Sequence, residues 1–174
     1  MTVLAYKFLR HGSVGPFSGF AWPEPGPSGP GPWVEARPFR GACGGGIHGC
    51  DADHLVYWLN DALWIIELDG EVAAADKKLI APRGRLVRRV DAWNRELARR
   101  LVDAGIARAR ELAAAAAAGD AAALAQGYLA DAITFADLDA GASLFCAAHA
   151  ALAEDGFARE RAWQSRWLAS QLAT

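Results

Sequence analysis

The segment CGGGIHGCDADH, residues 43–54, concentrates more reactive side chains than any other stretch of the sequence. It places two cysteines, two histidines and two aspartates within twelve positions. Thiolates and imidazoles bind zinc, and an imidazole also transfers protons near neutral pH. The segment can therefore be interpreted as a metal site, as a catalytic corner, or as a glycine-rich turn around buried side chains.

A zinc site in this segment would use Cys43, His48, Cys50 and His54, with the spacing C-x4-H-x-C-x3-H. Zinc prefers four nitrogen or sulfur ligands in a tetrahedron. His48 and Cys50 are two residues apart, so on a strand both would face the same side. The CxxC knuckle that is typical of structural zinc sites does not occur here. We therefore predict no cofactor at this segment, with zinc as the alternative.

A catalytic site would depend on His48, whose ordinary pKa of about 6.5 suits general acid–base chemistry. The carboxylate expected to act with it is Glu67, with Asp51 and Glu71 as alternatives. Cys50 would be a nucleophile only if the N-terminus of the following helix favoured its thiolate. These residues leave open whether the protein is an enzyme.

A purely structural role also accounts for the segment. Glycines at 44–46 allow a tight turn or a close approach of the backbone to a neighbouring strand. Cys50 would then be a small buried apolar residue, and His48 would be held by a backbone carbonyl. We place this interpretation before the metal and catalytic ones.

The elements that must position these residues change in character near residue 90. Before it, glycine, proline and alternating apolar residues are typical of short strands. In VLAYKFLR, for example, Leu4, Tyr6 and Phe8 alternate with Ala5, Lys7 and Leu9. Strands are predicted at 3–10, 33–39, 45–50, 64–72 and, around Pro82, twice within 77–90. A short helix is predicted over 51–63, with Asp51 or Asp53 as its cap.

Residues after 90 include no proline, which permits long helices. Helices are predicted over 91–118, 121–137, 140–153 and 157–172. The residues expected to face inward include Leu124, Tyr128 and Ile133 on the second helix, Phe145 on the third, and Trp163, Trp167, Leu168 and Leu172 on the last. The fold class is therefore α+β: a small, mostly antiparallel β domain at 1–90, followed by an antiparallel α-helical bundle at 91–174.

Residues 15–32, GPFSGFAWPEPGPSGPGP, predict a long irregular loop, because proline removes backbone donors and glycine supplies turns. A loop of this length in a compact domain is usually functional or mobile. Phe17, Phe20 and Trp22 indicate that part of it packs down as a lid or edge cover. The loop and the corner around His48 are the expected recognition surface.

The composition restricts the partners. The chain has 174 residues, 53% hydrophobic and 22% charged, which is enough for a packed core. The net charge of −2 disfavours nucleic acid and attraction to an anionic membrane. No segment reads as a signal peptide or reaches the roughly 18–20 apolar residues of a membrane span, so we expect a cytoplasmic protein. Three cysteines, an odd number, favour free thiols.

Four segments of the chain, YKFL, GGIHGCDADHLVYWL, LWIIELDGEV and ADKKLIAPRGRLV, resemble an uncharacterised domain of phage and bacterial proteins. That family has an opening Tyr-Lys strand and a Gly–apolar–His–x–Cys signature. The resemblance covers about residues 4–90 and implies that Tyr6, Lys7, Gly46, His48 and Cys50 mark its site. The family has no activity that the resemblance could imply.

The same half of the chain also resembles, more loosely, ADP-ribosyltransferases. The likeness places Tyr6, His48 and Glu67 or Glu71 near that family's functional positions, although neither its Arg-Ser-Glu nor its His-Tyr-Glu triad occurs here. It implies a nucleotide or NAD as the ligand.

Two functions of different class follow from these observations. The first is a non-catalytic binding module for a protein or small-molecule ligand, with Lys7, Gly46, Cys50 and Trp22 as ligand-binding residues. The second is a nucleotide- or NAD-handling enzyme in which His48, Glu67 and Tyr6 are catalytic.

Overall fold

The computed structural model describes residues 2–36, 45–116 and 118–172. The protein is α+β, as predicted, with antiparallel sheets first and helices after them. It contains two compact units, residues 1–93 and 94–174. Within the described ranges, none of the helices combines the length and apolar character needed to span a bilayer.

The first unit is built from short antiparallel strands. In its described part they are β1 (Val3–Leu9), β2 (Val34–Glu35), β3 (Ile47–Gly49), β4 (Ala62–Asp69), β5 (Ala73–Ala75), β6 (Lys78–Ala81) and β7 (Arg83–Arg89). They form one sheet in the order β1-β4-β7-β2 and a second in the order β3-β6-β5. The sequence analysis did not predict β5, whose three alanines have no alternation of apolar and polar residues.

Two of the connections between the sheets bear on the signature segment. Tyr6 and Cys50 exchange backbone hydrogen bonds of 2.8 Å in both directions, which joins the end of β3 to β1. Pro82 alone separates β6 from β7. The chain therefore passes from one sheet to the other at a residue that has no backbone donor to contribute to a ladder. Together these links hold the signature segment against β1.

Apolar residues of both sheets form a buried cluster that includes Ala5, Leu9 and Ile66. In the β1–β4 ladder Ala5 lies opposite Ile66, and Lys7 lies opposite Trp64, another member of the cluster. Strand side chains alternate between the two faces of a sheet. Lys7 therefore occupies the core side of β1, between Ala5 and Leu9.

The predicted helix over 51–63 is shorter than expected. It is a 3-10 helix, Ala52–Tyr57, and the chain enters β4 at Ala62. Asp51 occupies the N-cap position but makes no capping hydrogen bond. Its carboxylate instead lies 2.6 Å from His54 Nδ1. Side-chain pairing within one turn thus takes the place of the cap that the sequence suggested.

The second unit contains α1 (Arg95–Ala115), α2 (Asp120–Phe135), α3 (Ala140–His149) and α4 (Gly156–Leu172). Two of these helices begin at side-chain caps. The Asn94 side chain accepts a hydrogen bond from Leu97 N at 3.0 Å, and Asp139 accepts one from Ala142 N at 2.9 Å. Such caps satisfy amide groups that have no partner inside the helix.

The buried face of α4 is largely polar. Arg161, Gln164 and Ser165 are buried on it. Gln164 Nε2 donates to Leu144 O at 2.9 Å, and Arg161 Nη1 donates to Gln164 Oε1 at 3.0 Å. Buried polar groups are tolerated when they are hydrogen-bonded in this way. The bundle is therefore held by polar contacts as well as by apolar packing.

Candidate functional site

A cavity of about 700 Å³ lies in the first unit, between β1, the signature segment and the loop that follows β1. Sequence-predicted site residues that line it are Tyr6, Lys7, Trp22, Gly46, His48 and Cys50. Ligand pockets of this size are mostly apolar, with a few convergent polar groups. The structure thus brings the ligand-binding candidates and two of the three catalytic candidates to one place.

Lys7 is one of two lysines that line this cavity, with Lys78. The Lys7 Nζ donates to the backbone carbonyl of His48 at 2.7 Å and lies 4.7 Å from the centroid of the Trp22 ring. Burial of the ammonium lowers the Lys7 pKa from 10.5 to about 8, against an opposing effect of Cys50. Desolvation favours the neutral amine because the charged form loses its hydration.

His48 is the half-buried imidazole of β3, between buried Ile47 and Gly49. Its pKa is lowered, first by desolvation and then by the charges of Lys78 and Lys7, while a backbone hydrogen bond with Gly45 opposes the shift. The ring is therefore neutral near neutral pH. Its Nε2 is buried and has no hydrogen-bond partner among the described residues.

Cys50 is a buried free thiol. Burial raises its pKa to about 12, and the neighbouring Asp51 charge acts in the same direction. Nucleophilic cysteines need the opposite, a thiolate favoured by cations or a helix N-terminus. The thiol stays protonated at neutral pH, so Cys50 lines the cavity as an apolar residue, as the structural interpretation expects.

Glu67 lies outside the cavity lining, unlike Tyr6 and His48. Its carboxylate pairs with Arg85 Nε at 2.7 Å. In the β1–β4 ladder Glu67 lies opposite Leu4. Leu4 and Lys7 are three residues apart on β1, so they lie on opposite faces of the strand. The catalytic pairing of His48 with Glu67 is therefore not assembled, because β4 presents that carboxylate to Arg85 instead.

The predicted zinc ligands do not come together in the described part of the chain. Cys43 lies outside the described residues. His54 Nδ1 lies 2.6 Å from Asp51 Oδ1, and His54 is not a lining residue of the cavity. Among the residues that the structure describes, no group of three or more His, Cys, Asp or Glu side chains could hold a metal ion.

The 15–32 loop has no regular strand, as predicted, and its start is held as a turn by backbone hydrogen bonds. Trp22 N donates to Ser13 O at 2.9 Å, and Gly15 N donates to Phe20 O at 2.8 Å. Phe20 packs edge-on against Trp22, with the ring centroids 5.6 Å apart. Phe17, which also lines the cavity, is 89% exposed at the tip. An apolar ring is thus presented to solvent at the cavity rim.

The sequence analysis missed several lining residues. Tyr57 and Trp58 close one side, and Glu35 and Lys78 add charges. Trp58 Nε1 donates to Lys77 O at 2.9 Å, which fixes the indole. The aromatic pair lies seven and eight residues after Cys50, within the segment GGIHGCDADHLVYWL, so proximity in the sequence was the available signal. Lys78 flanks the basic run RGRLVRR, whose positive charge could have pointed to a phosphate, whereas nothing local in the sequence marks Glu35.

The backbone conformation at position 46 requires glycine. The φ of Gly46 is +101°, a region that side chains rarely adopt, and a Cβ added there would lie 2.5 Å from Ile80 Cγ2. Gly46→Ala should therefore destabilise the protein by about 2 kcal/mol, as left-handed strain and crowding together would. Urea unfolding measures the change. Gly26→Ala, where a Cβ meets nothing within 4 Å, is the control, and equal losses in both variants would contradict the prediction.

No protein-family model matches this chain, and comparison with curated proteins and with solved structures likewise gave no match. The likeness to the phage and bacterial domain accordingly remains a prediction from the sequence. The function has to be inferred from the geometry and charge of the cavity.

Proposed function

We propose that the first unit is a non-catalytic binding module whose cavity takes a small anionic molecule with an aromatic ring. The observation on which this rests is the Lys7 ammonium, placed on the core side of β1 beside the Trp22 ring and at the wall of the cavity. A cation in apolar surroundings has lost hydration that an anionic ligand can replace.

The charges around the cavity support an anion rather than a cation. Lys7 and Lys78 both line it, and both act to lower the His48 pKa. Neutral His48 adds a hydrogen-bonding group without a further charge. Glu35 is the opposing carboxylate, and its side chain is 68% exposed and near Arg83. The ligand's anionic group would lie toward Lys7.

The aromatic side chains support a planar ring in the ligand. Phe17 and Phe20 leave 89% and 44% of their surface exposed although they line the cavity. Tyr57 and Trp58 also line the cavity. Burial of such rings against a ligand is favourable at about 25 cal/mol per Å². A phosphate together with a flat ring is what a nucleotide offers, so we take nucleotides as the ligand class.

The enzyme hypothesis, with His48, Glu67 and Tyr6 acting on NAD, is our second candidate. It needs a carboxylate beside the histidine, and Glu35 is a carboxylate that lines the cavity. We place it second because Glu67 is held by Arg85. The cytoplasmic location and the kinship with the phage and bacterial domain are proposals that rest on the sequence alone.

The test uses AMP as the probe, with adenosine and inorganic phosphate measured separately, and follows binding by isothermal titration calorimetry. AMP should bind more tightly than either part. Lys7→Met should weaken AMP binding at least tenfold, since a charge-assisted hydrogen bond contributes about 1.5–3 kcal/mol. Arg10→Met, which removes an exposed cation just after β1, should leave binding unchanged.

Two results would overturn the proposal. One is the absence of saturable binding of AMP, and the other is equal affinity in the wild type and Lys7→Met. Incubation of the full chain with NAD addresses the second candidate. Turnover of NAD that is lost in His48→Ala, with the melting temperature retained, would make the protein an enzyme and reverse our order.

A further inference from the structure

Lys7 differs from the other lysines of the chain, Lys77 and Lys78, in its surroundings. It is the one on β1, opposite Trp64 and between apolar residues of the core. Its Nζ is fixed by the bond to His48 O and by the Trp22 ring. An amine that is positioned in this way, in an apolar cavity, meets the structural requirements for a nucleophilic lysine.

We propose that Lys7 is a carbonyl-reactive amine that binds aldehyde ligands of the cavity covalently, as an imine. This rests on the proposed function, because it uses the same cavity, and it adds a chemical class: an anionic aromatic ligand that bears an aldehyde. The reaction is reversible, so the protein would hold and release the aldehyde without converting it.

The step needs no oxidant or reductant. The lone pair of the neutral amine attacks the carbonyl carbon and forms the C–N bond as the C=O π bond breaks, and one of the two amine protons passes to the carbonyl oxygen. The resulting carbinolamine loses its hydroxyl, which leaves as water with the second nitrogen proton, as the C–O bond breaks and the C=N bond forms. Aldehyde and amine thus give imine and one water, and added water reverses the reaction.

Two features of the cavity favour this step. The pKa of about 8 leaves roughly a tenth of Lys7 neutral at pH 7, against less than a thousandth for an ordinary lysine. His48 lines the same cavity as a neutral imidazole whose Nε2 has no described partner. Such a nitrogen can hydrogen-bond the carbonyl or carbinolamine oxygen.

The experiment uses pyridoxal 5′-phosphate, which combines an aldehyde, an aromatic ring and a phosphate. The full chain is incubated with it at neutral pH, reduced with borohydride, and mapped by peptide mass spectrometry. Reduction should fix the adduct on Lys7 at least tenfold more than on Lys77 or Lys78. Lys7→Arg keeps a cation but has no reactive amine, and should abolish the preferred adduct.

Pyridoxine 5′-phosphate, in which an alcohol replaces the aldehyde, separates this inference from the proposed function. Binding of that alcohol together with an adduct spread evenly over the three lysines would overturn the imine and leave the binding module in place. Failure of both compounds to bind would overturn both. Adduct on Lys7 that is suppressed by excess AMP would support both.

Discussion

Glu160→Ala should lower the free energy of unfolding of the helical unit by about 2–3 kcal/mol. Glu160 lies on the buried face of α4 with 6% of its surface exposed. Its carboxylate accepts hydrogen bonds from both Nε and Nη2 of Arg108, the latter at 2.9 Å. This pairing raises the Arg108 pKa further above its ordinary range. Alanine would leave the guanidinium without this partner.

The size of the loss follows from the exposure of the two partners. Removing one member of a buried ion pair costs about 3–5 kcal/mol, because the other charge stays desolvated. The Arg108 side chain is 38% exposed and lies over the Trp163 ring, so water can partly replace the carboxylate. The expected value therefore lies at or below the lower end of that range.

Urea unfolding followed by the helical circular dichroism measures the change. Glu154→Ala removes a carboxylate from an exposed position just before α4 and should change stability by less than about 0.5 kcal/mol. The double variant Arg108→Met with Glu160→Leu should recover most of the loss, since apolar pairs of similar size replace buried ion pairs well. A loss in Glu160→Ala no larger than in Glu154→Ala would show that the pair contributes nothing.

The polar face of α4 also shows where sequence patterns stop being informative. The apolar spacing predicted an inward stripe, and of its members Leu168 is buried while Trp163 and Trp167 are half-buried. Charged residues are normally assigned to solvent because burial of an unpaired charge is costly. The ion pair of Arg108 with Glu160 removes this cost. It joins residues on different helices, so no local sequence pattern predicts it.

On α2 the prediction of inward residues was wrong for Leu124 and Ile133, whereas Tyr128 is half-buried and stacks on His149. Leu124 and Ile133 are 52% and 46% exposed, whereas Ala125, Leu129 and Ala132 are buried. In an alanine-rich helix several faces satisfy a 3.6-residue period, so periodicity does not select one. Buried small side chains let neighbouring helices approach closely. Phe145 on α3, also predicted to face inward, is 49% exposed.

The position of the candidate site was predictable to the extent that it depends on local sequence. Glycine, histidine and cysteine within a few residues predicted the strand and the corner that now line the cavity. Which carboxylate would lie beside His48 was not predictable. The neighbours of Glu67 are set by the register of β4 with β1 and β7, which the local sequence does not reveal. On β1, alternation separated Leu4 from Ala5 correctly, but it does not say which series faces the core. Leu4 is 67% exposed and Ala5 is 3% exposed.

Because the series that includes Ala5 faces the core, Lys7 also lies on the core side of β1. The cost of placing an amine there gives the second large expected effect. Lys7→Met should stabilise the protein at pH 7 by about 2 kcal/mol. The pKa of Lys7 is about 8 in the folded protein, against 10.5 for the ordinary side chain. Well below pH 8 the amine is charged in both states, and the folded state bears the cost of desolvating a side chain that stays partly exposed. Methionine removes that cost but loses the 2.7 Å bond to His48 O.

The pH dependence of stability tests whether desolvation of the Lys7 ammonium is the cause of this effect. Between about pH 8 and 10.5 the folded state binds fewer protons at Lys7 than the unfolded state does. The free energy of unfolding of the wild type therefore gains a contribution that rises with pH across this window. Lys7→Met should lack that contribution, so the difference between the two proteins should shrink from pH 7 to pH 10.5. Subtraction cancels the other groups that titrate in the same range.

Urea unfolding at several pH values, followed by tryptophan fluorescence, measures both effects, since five of the seven tryptophans lie in the first unit. Arg10→Met should follow the wild-type profile, since it removes an exposed cation. A Lys7→Met variant that is less stable at pH 7, with the wild-type profile retained, would mean that Lys7 serves mainly as a hydrogen-bond donor to β3. A Lys7→Met variant that is more stable but no longer binds AMP would give the opposite conclusion. It would mean that the desolvated Lys7 cation is needed by the ligand and lowers the stability of the folded protein, a trade-off that is common for functional residues.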